Sequence, residues 1–340
     1  MSKLKIVLFI VLTLMLFVIP LLAACAKEPT PPPQPIVMRF TCTNPPTDTL
    51  IVMMEELKTT IPEATNGRVK FELYPAGQLF GKVEGLTALK EGDVEMALGG
   101  TDLSVINTGW AAIMSLTFLI DDNAHLERLF ETKGFKAMQD KLEAEGIKQV
   151  AYLGNPGAVK LYNRLHPIEK LEDFKGVKIW APPMDWMIKS MTALGASTVT
   201  MSATEFMTAL QTGMLDGAVF PPSGAAVFGF NKTLPYMTDV DLGQSCVAFV
   251  VNTAWWNGLP SDIRKALQSV LTDFGKKAQA MHQEQITKVY ADFAGTPGTV
   301  VTKITPAEKA RWLAAVQPVW QEAMKDEQMR MIIEAANSVR

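Results

Sequence analysis

The chain has little cysteine, little histidine and no run of basic residues, and each shortage removes a class of function. Its 340 residues include 3 cysteines and 3 histidines. His125, His166 and His282 are scattered, and no Cys/His cluster has the spacing of a metal site, so neither a metal nor another cofactor is expected. Gly-x-Ser-x-Gly, His-Glu-x-x-His and a Gly-rich phosphate loop are all missing. A surface hydrolase would therefore need a nucleophile and base, a carboxylate pair or a metal assembled from distant segments. The formal net charge is −3, and without a basic patch nothing favours nucleic acid as a partner.

What is present begins with a leader. Lys3 and Lys5 precede an apolar run from Ile6 to Leu22, which ends in Leu22-Ala23-Ala24-Cys25. A positive start, an apolar run and small residues before a cleavage point have the layout of a secretory signal peptide over residues 1–24. An uncleaved membrane anchor is the alternative, and the run is at the short edge of what spans a bilayer. Leu-Ala-Ala-Cys is similar to the bacterial lipobox, which implies acylation of Cys25 and stable anchoring by more than one acyl chain. Pro29, Pro31, Pro32, Pro33 and Pro35 follow. Proline favours extended polyproline II, so residues 25–35 are a semi-rigid spacer between membrane and fold. Loss of the two leader lysines takes the net charge from −3 to −5.

The remainder is large enough for one large or two medium domains, and 48% apolar content can build a sizeable core. Cys42 and Cys246 sit in a compartment where disulfides persist. They either pair or remain as buried thiols in neighbouring strands. Val37 to Cys42 is β-branched and aromatic enough for a strand, and Thr49 to Thr60 has helical spacing. Arg68 to Tyr74 alternates as a strand, Val83 to Lys90 is helical, and Val94 to Leu98 is a third short strand. Strands are expected again at 150–153, 159–163, 176–181, 217–220 and 246–252, with helices at 184–194 and 203–211. Ser261 caps a long helical region through about Phe293, and Thr305 caps a last helix with Pro306 in its first turn. This alternation implies α/β units with a largely parallel sheet. Two lobes joined by crossing strands explain the order, with a ligand in the cleft near the carboxyl ends of the strands.

Several stretches together give the chain a family likeness. They are Thr65-Asn66-Gly67-Arg68-Val69 leading to Tyr74-Pro75-Ala76-Gly77-Gln78-Leu79, then Ala88-Leu89-Lys90-Glu91-Gly92-Asp93-Val94-Glu95-Met96-Ala97. Further on come Leu171-Glu172-Asp173-Phe174-Lys175-Gly176-Val177-Lys178-Ile179 and Leu194-Gly195-Ala196 with Glu205. Ala209-Leu210-Gln211-Thr212-Gly213-Met214-Leu215-Asp216-Gly217 is the most specific run, and Asn252 through Leu259-Pro260 adds a weaker one. In order and spacing the chain resembles the substrate-binding proteins of tripartite ATP-independent periplasmic (TRAP) transporters, of the dicarboxylate-binding type. The resemblance implies an α/β, two-lobed periplasmic-binding-protein-like fold with a ligand cleft between the lobes and long C-terminal helices. Residues 36–157 with 246–285 would form the first lobe, and 158–245 with 286–340 the second. It also implies a small organic solute, membrane transporter subunits driven by an ion gradient as partners, and no catalytic residue. A receptor that presents its solute to a signalling partner would use the same lobes.

Two positions depart from that family's pattern. The strand after Lys175-Gly176 usually ends in an arginine that clamps the solute's carboxylate, a task suited to a planar two-pronged donor. Here it ends in Trp180. After Asp216-Gly217 a polar residue commonly precedes the proline; here Phe220 precedes Pro221. Two aromatic replacements in one subsite imply a different kind of solute. Trp180 and Phe220 could hold an aromatic or apolar group, carry a cationic amine over a ring face, or simply pack as core. Other candidate pocket residues are Asn44 after the first strand, Thr101 and Asp102 after the third, Trp186 one helical turn beyond Trp180, and Asn252. Of Trp255 and Trp256, at most one would face the cleft if both lay on a strand. Lys160 is the basic residue placed to meet an acid group, unless it is an exposed strand lysine. Six of the 19 methionines fall between Met184 and Met214, which suits a plastic apolar surface or plain core filling.

Overall fold

The computed structural model describes residues 34–100, 103, 108–182, 184–201 and 203–340. The leader, Cys25 and most of the linker, together with Thr101 and Asp102, lie outside the described residues. Strand β1 (Ile36–Thr41) is followed by helices α1 (Thr49–Met54) and α2 (Leu57–Ala64), β2 (Val69–Tyr74), α3 (Lys82–Glu91) and β3 (Met96–Gly100). Gly92 ends α3 with φ 90°, and its N–H bonds to the Ala88 carbonyl at 2.9 Å; this left-handed cap is where glycine costs least. Helices α4 (Thr108–Ser115), α5 (Asn123–Phe130) and α6 (Lys133–Ala144) precede β4 (Ile147–Gly154). Asp122 and Thr132 accept hydrogen bonds from backbone N–H groups in the first turns of α5 and α6.

The chain then enters a second sheet. It contains β5 (Lys160–Asn163), β6 (Lys178–Trp180), β7 (Ser197–Val199), β8 (Gly217–Phe220) and β9 (Tyr236–Thr238), with α7 (Asp185–Ala193), α8 (Ala203–Gln211), α9 (Pro222–Val227) and α10 (Phe230–Thr233) between them. It returns to the first sheet as β10 (Val247–Asn252), followed by α11 (Thr253–Gly258). Helix α12 (Ser261–Gly295) comes next, then β11 (Val300–Thr302) in the second sheet, α13 (Pro306–Ala323) and α14 (Glu327–Ser338). The sheet orders are β2-β1-β3-β10-β4 and β11-β9-β5-β8-β6-β7. Residues 37–340 form one compact unit. Among the described residues no helix is long and apolar enough to cross a membrane.

The expected largely parallel sheet needs correction: both sheets are mixed. β1 and β3 are parallel, as are β6, β7 and β8, because each is joined through a helix. β10 is antiparallel to β3 and β4, and β5 is antiparallel to β8 and β9. Both reversed strands receive the chain from the other sheet, so they enter from the end at which the βα strands leave. The helix expected to be last, α13, has Thr305 as its cap, accepting from Glu308 N at 3.2 Å. A further helix, α14, follows it and packs on α4, α5 and α6, whereas α13 packs on α7. His125 Nε2 lies 2.8 Å from the Ala336 carbonyl, and the Arg340 guanidinium donates to the Phe118 and Leu119 carbonyls at 2.7 and 2.9 Å. Cys42 and Cys246 are buried as thiols rather than joined in a disulfide.

Helix α12 has 35 residues, about 50 Å at 1.5 Å per residue, long enough to run along both sheets. It covers the free edge of β4, where Gln268 and Gln279 donate to the Val150 and Tyr152 carbonyls at 2.7 and 3.4 Å. An edge so covered offers no template for another chain. At its far end Phe293 packs on Tyr162 at 5.7 Å between ring centroids. One apolar core runs through both layers, with Val250 from the first sheet, Ile179 and Val219 from the second, and Trp312 of α13. A second cluster lies on the other face of the second sheet around Tyr162, Phe206 and Phe230. Trp312 is fully buried with its ring 4.8 Å from that of Phe174. Trp312→Ala should therefore cost about 3–5 kcal/mol in urea unfolding. A loss below about 1 kcal/mol would show that α13 is not part of the cooperative core.

Candidate functional site

Strand direction locates the cleft. In the first sheet Val247, at the start of β10, pairs with both Gly100 and Gly154, so the carboxyl ends of β3 and β4 lie together. In the second sheet Lys160, at the start of β5, pairs with Phe220, and Trp180 pairs with Ala218, so the carboxyl ends of β6 and β8 lie at the entry of β5. Gly154 and Lys160 are separated by so short a segment that these ends face each other within about 20 Å. Gly100 has φ 78°, and a Cβ there would stand 2.3 Å from the Cys246 carbonyl, so only glycine lets β10 enter at this level.

Trp180 and Phe220 both reach this level, but they do not play the same part. Trp180 is 6% exposed. Its ring lies 4.8 Å from Phe206 and 5.4 Å from Phe220, and its indole N–H donates to the Met201 carbonyl at 3.1 Å. As a direct stacking contact Trp180 is thus corrected to a core residue, with neighbouring rings on its flanks and its one donor used. Phe220 is half-buried at the rim of the same cluster, against Phe228 and Phe230 at 5.4 and 5.7 Å. Among the described residues no arginine lies at these strand ends. Arg164 sits beyond the opposite end of β5, donating to the Leu210 carbonyl at 3.1 Å with Asp216 at 3.6 Å.

Strand direction and local bonding decide where four further candidates stand. Because β10 runs antiparallel to its neighbours, Asn252 and the residues after it fall at the end away from the cleft, where Asn252 pairs with Ile147. Asn252 instead caps α11, accepting from Trp255 N at 2.8 Å, and donates to the Leu89 carbonyl at the end of α3 at 2.8 Å. Trp255 and Trp256 lie on that helix rather than on a strand, with ring centroids 6.4 Å apart. Trp186 packs on the main core with the Lys189 ammonium over its ring at 4.6 Å. Asn44 follows β1 as expected, but its amide donates to the Asp48 carboxylate, the cap of α1, at 3.0 Å. Thr101 lies outside the described residues. Met187 and Met191 are core, whereas Met214 is 62% exposed.

Lys160 is neither an exposed strand lysine nor a free cation. It is 7% exposed, and its ammonium bonds Asp239 at 2.8 Å and Asp241 more closely. The Tyr290 hydroxyl of α12 donates to Asp239 at 2.6 Å. Burial works to lower the Lys160 pKa, but the Asp241 and Asp239 carboxylates outweigh it and hold it above its ordinary value. Burial likewise works to raise Asp239, and Lys160 overrides it, so that carboxyl sits below its ordinary value. One lysine between two carboxylates leaves the group formally negative, so it cannot serve as an unpaired partner for an anion.

This network forms one wall of a cavity of about 410 Å³ between the two crossing segments and α12. Gly154, Asn155 and Gly157 of the outgoing crossing line it, as do Asp241 and Gln244 of the return crossing and Gln279, Gln283 and Ile286 of α12. Tyr152, Asp122, Asn123 and Pro222 also line it. Asn155 Nδ2 donates to Gln244 Oε1 at 2.8 Å and so ties the two crossings together. Sequence reasoning found Lys160 but missed Asp239, Asp241 and Gln244, which belong to an irregular segment without periodicity. The alternating acids at 239 and 241, just before an apolar strand, were the one available signal. Among the described residues no group of His, Cys, Asp and Glu could hold a metal ion.

Comparison with known proteins agrees with this architecture. The family model described as bacterial extracellular solute-binding protein, family 7, matches residues 40–327. The C4-dicarboxylate-binding periplasmic protein DctP of Rhodobacter capsulatus is 29% identical over 293 residues, covering 85% of this chain and 86% of the relative. Its namesake in Vibrio cholerae is 26% identical over 86% of this chain and 88% of its own length. Among solved structures, a TRAP periplasmic solute-binding protein from Ochrobactrum anthropi superposes with a TM-score of 0.80 at 24% identity, over 90% of this chain and 96% of that one. One from Haemophilus influenzae, with bound L-gulonate, gives 0.78 at 20% identity over 90% of this chain and 100% of that one. These relatives are extracytoplasmic solute-binding proteins rather than enzymes, and this chain belongs to their family, the bacterial extracellular solute-binding proteins of family 7.

Proposed function

We propose that the chain captures a small organic solute for a TRAP-type membrane transporter while held to the membrane by lipid on Cys25, and that this solute is not a simple carboxylate. The observation that carries the solute reading is the ring cluster at the carboxyl ends of β6 and β8. There Trp180 and Phe220, 5.4 Å apart, stand where the family's pattern expects an arginine and a polar residue. Bringing a carboxylate out of water needs a compensating cation or several donors. The cation that reaches this level, Lys160, is already held by two carboxylates. Solutes in the solved neighbours include L-gulonate, sn-glycerol-3-phosphate and succinate, so the fold itself accommodates varied ligands. The lobes that close are the first sheet's layer with α14 and the second sheet's layer with α13, hinged at 154–160 and 239–247.

Thermal unfolding of the purified protein against a panel of solutes tests this. A ligand at 100 times its Kd adds about 2.7 kcal/mol, a shift of several degrees at this size. The shift is expected with non-carboxylate solutes; a shift given by simple carboxylates alone would sink the reading. Lys160→Met should cost about 3–5 kcal/mol by stranding Asp239 and Asp241. A surrogate carboxylate clamp would instead leave stability intact and lose only binding. The acid limb follows from Asp239: its lowered pKa contributes stability that is present above the ordinary carboxyl value and lost as pH falls through the lowered one. Lys160→Met should flatten that limb in urea unfolding followed against pH.

The anchor has its own check. Wild-type protein should take up labelled palmitate and sediment with membranes, whereas Cys25→Ala should do neither. Equal sedimentation of the two would return the leader to the uncleaved-anchor alternative.

A further inference from the structure

Helix α13 meets both layers, each with a different face. Toward the second sheet, Glu308 accepts from Leu171 N at 3.3 Å, Arg311 pairs with Glu172, Trp312 packs on Phe174, and Glu322 takes the Lys189 ammonium at 2.6 Å. Lys309 and Trp320 stand three helical turns apart on another stripe and turn to the first layer. Trp320 Nε1 donates to the Thr117 carbonyl at 3.0 Å. The Lys309 ammonium lies 3.6 Å from Asp121 and 5.9 Å from the centre of the Phe118 ring. Arg340, beyond α14, grips the same segment. Its guanidinium donates to the Phe118 and Leu119 carbonyls at 2.7 and 2.9 Å and to Asp121 at 2.8 Å, and lies 5.9 Å from the centre of the Trp320 ring. Held among these groups, Phe118 is 2% exposed with φ 65°, a left-handed conformation that a bulky residue rarely adopts. Such a residue persists only where its surroundings hold it, and such residues gather at clamps and switches. Asp122 and Asn123, which follow directly, line the cleft cavity.

We propose that Thr117 to Asp121 is a latch that sets the angle between the lobes, fastened by Lys309 and Trp320 of the second lobe and by Arg340 of the first. Helix α13 moves with the second sheet, because its bonds to Leu171, Glu172 and Lys189 tie it there. A change of angle about 154–160 and 239–247 therefore pulls Trp320 and Lys309 against the Phe118 turn. A close-packed turn answers such a pull by changing from one arrangement to another rather than by bending smoothly. Release lets Phe118 leave the left-handed region, so backbone strain favours release while the three gripping side chains oppose it. Asp122 caps α5 immediately after the turn, so release also shifts the part of the cavity wall that Asp122 and Asn123 form. The wall and the lobe angle are thus linked through residues that need not touch the solute. This inference rests on the preceding reading that the lobes move about the two crossings, and it holds for any class of solute.

The test is the distance between the lobes. Nitroxides at Lys136→Cys on α6 and Thr208→Cys on α8, both exposed positions, report it by double electron–electron resonance in the full-length protein carrying Cys25→Ala. Cys42 and Cys246 are buried and should not take the label. Lys309→Ala, Trp320→Phe and Arg340→Leu should each widen the distance distribution and move its maximum by more than about 2 Å. Lys309→Arg should keep the wild-type distribution. Lys277→Ala, which cuts a comparably exposed bridge to Glu56 elsewhere on the surface, should keep it too. The side chains of Lys309 and Arg340 are 44% and 35% exposed, so their variants should fold even where Trp320→Phe does not, and unfolding midpoints check this. A lowered midpoint with an unchanged distribution would mark these contacts as packing alone and overturn the latch. Asn155→Ala cuts the tie between the crossings. If it widens the distribution and the latch variants do not, the hinge reading survives and the latch falls. If none of these variants changes the distribution, both fall.

Discussion

The architecture depends on the constraint that the chain must leave the first sheet at Gly154 and re-enter it at Val247. Strand β10 is inserted between β3 and β4, so it must run against both, and β5 must likewise run against β8 and β9. This reversal decides which residues can meet a solute. It brings Gly100, Gly154, Lys160, Trp180 and Phe220 to facing strand ends and carries Asn252 and Trp255 to the far end. It also places polar side chains in the core. The return crossing makes backbone hydrogen bonds with Val159 and Thr302, and Asp239, Asp241 and Gln244 add side-chain bonds to Lys160 and Asn155. A buried ion group of this kind gives little net stability over an apolar one of equal shape, but breaking it is costly. Its effect is to hold the crossing in one position relative to β5.

Much of the fold was legible because its elements have strong local causes. Helix α8 and strand β8 have the bounds that their spacing and closing Gly213 and Pro221 imply. Helix α12 was legible in its extent, although Ser261, expected as its cap, is its first residue and Pro260 holds the cap position, and α13 was legible from Thr305 and Pro306. Strand direction was not legible, since a strand reads the same whichever way it runs, and the alternation of strands with helices led to the expectation of a largely parallel sheet. Helix α14 escaped because its partners, α4 to α6, lie about 200 residues earlier. The site was legible where the family pattern speaks, at 180 and 220, and silent where irregular chain makes the wall. Lys160 shows the limit most plainly: its position was right, but its availability depended on two acids some 80 residues downstream.

Specificity in such a cleft turns on which solutes lose more in dehydration than they regain. A guanidinium recovers a carboxylate's lost hydration through two charged hydrogen bonds. Aromatic side chains at the same level recover none of it, and they also exclude the water that might have stayed. On the proposed reading the ring cluster would discriminate chiefly by rejecting anions, whether or not any ring touches the bound solute. Trp180 need not be a contact to set specificity; by packing on Phe206 and Phe220 it removes the space and polarity an anion would need. The acids at the hinge act in the same direction by charge. The strand ends and the hinge are different elements, so on this reading a change in one need not disturb the other.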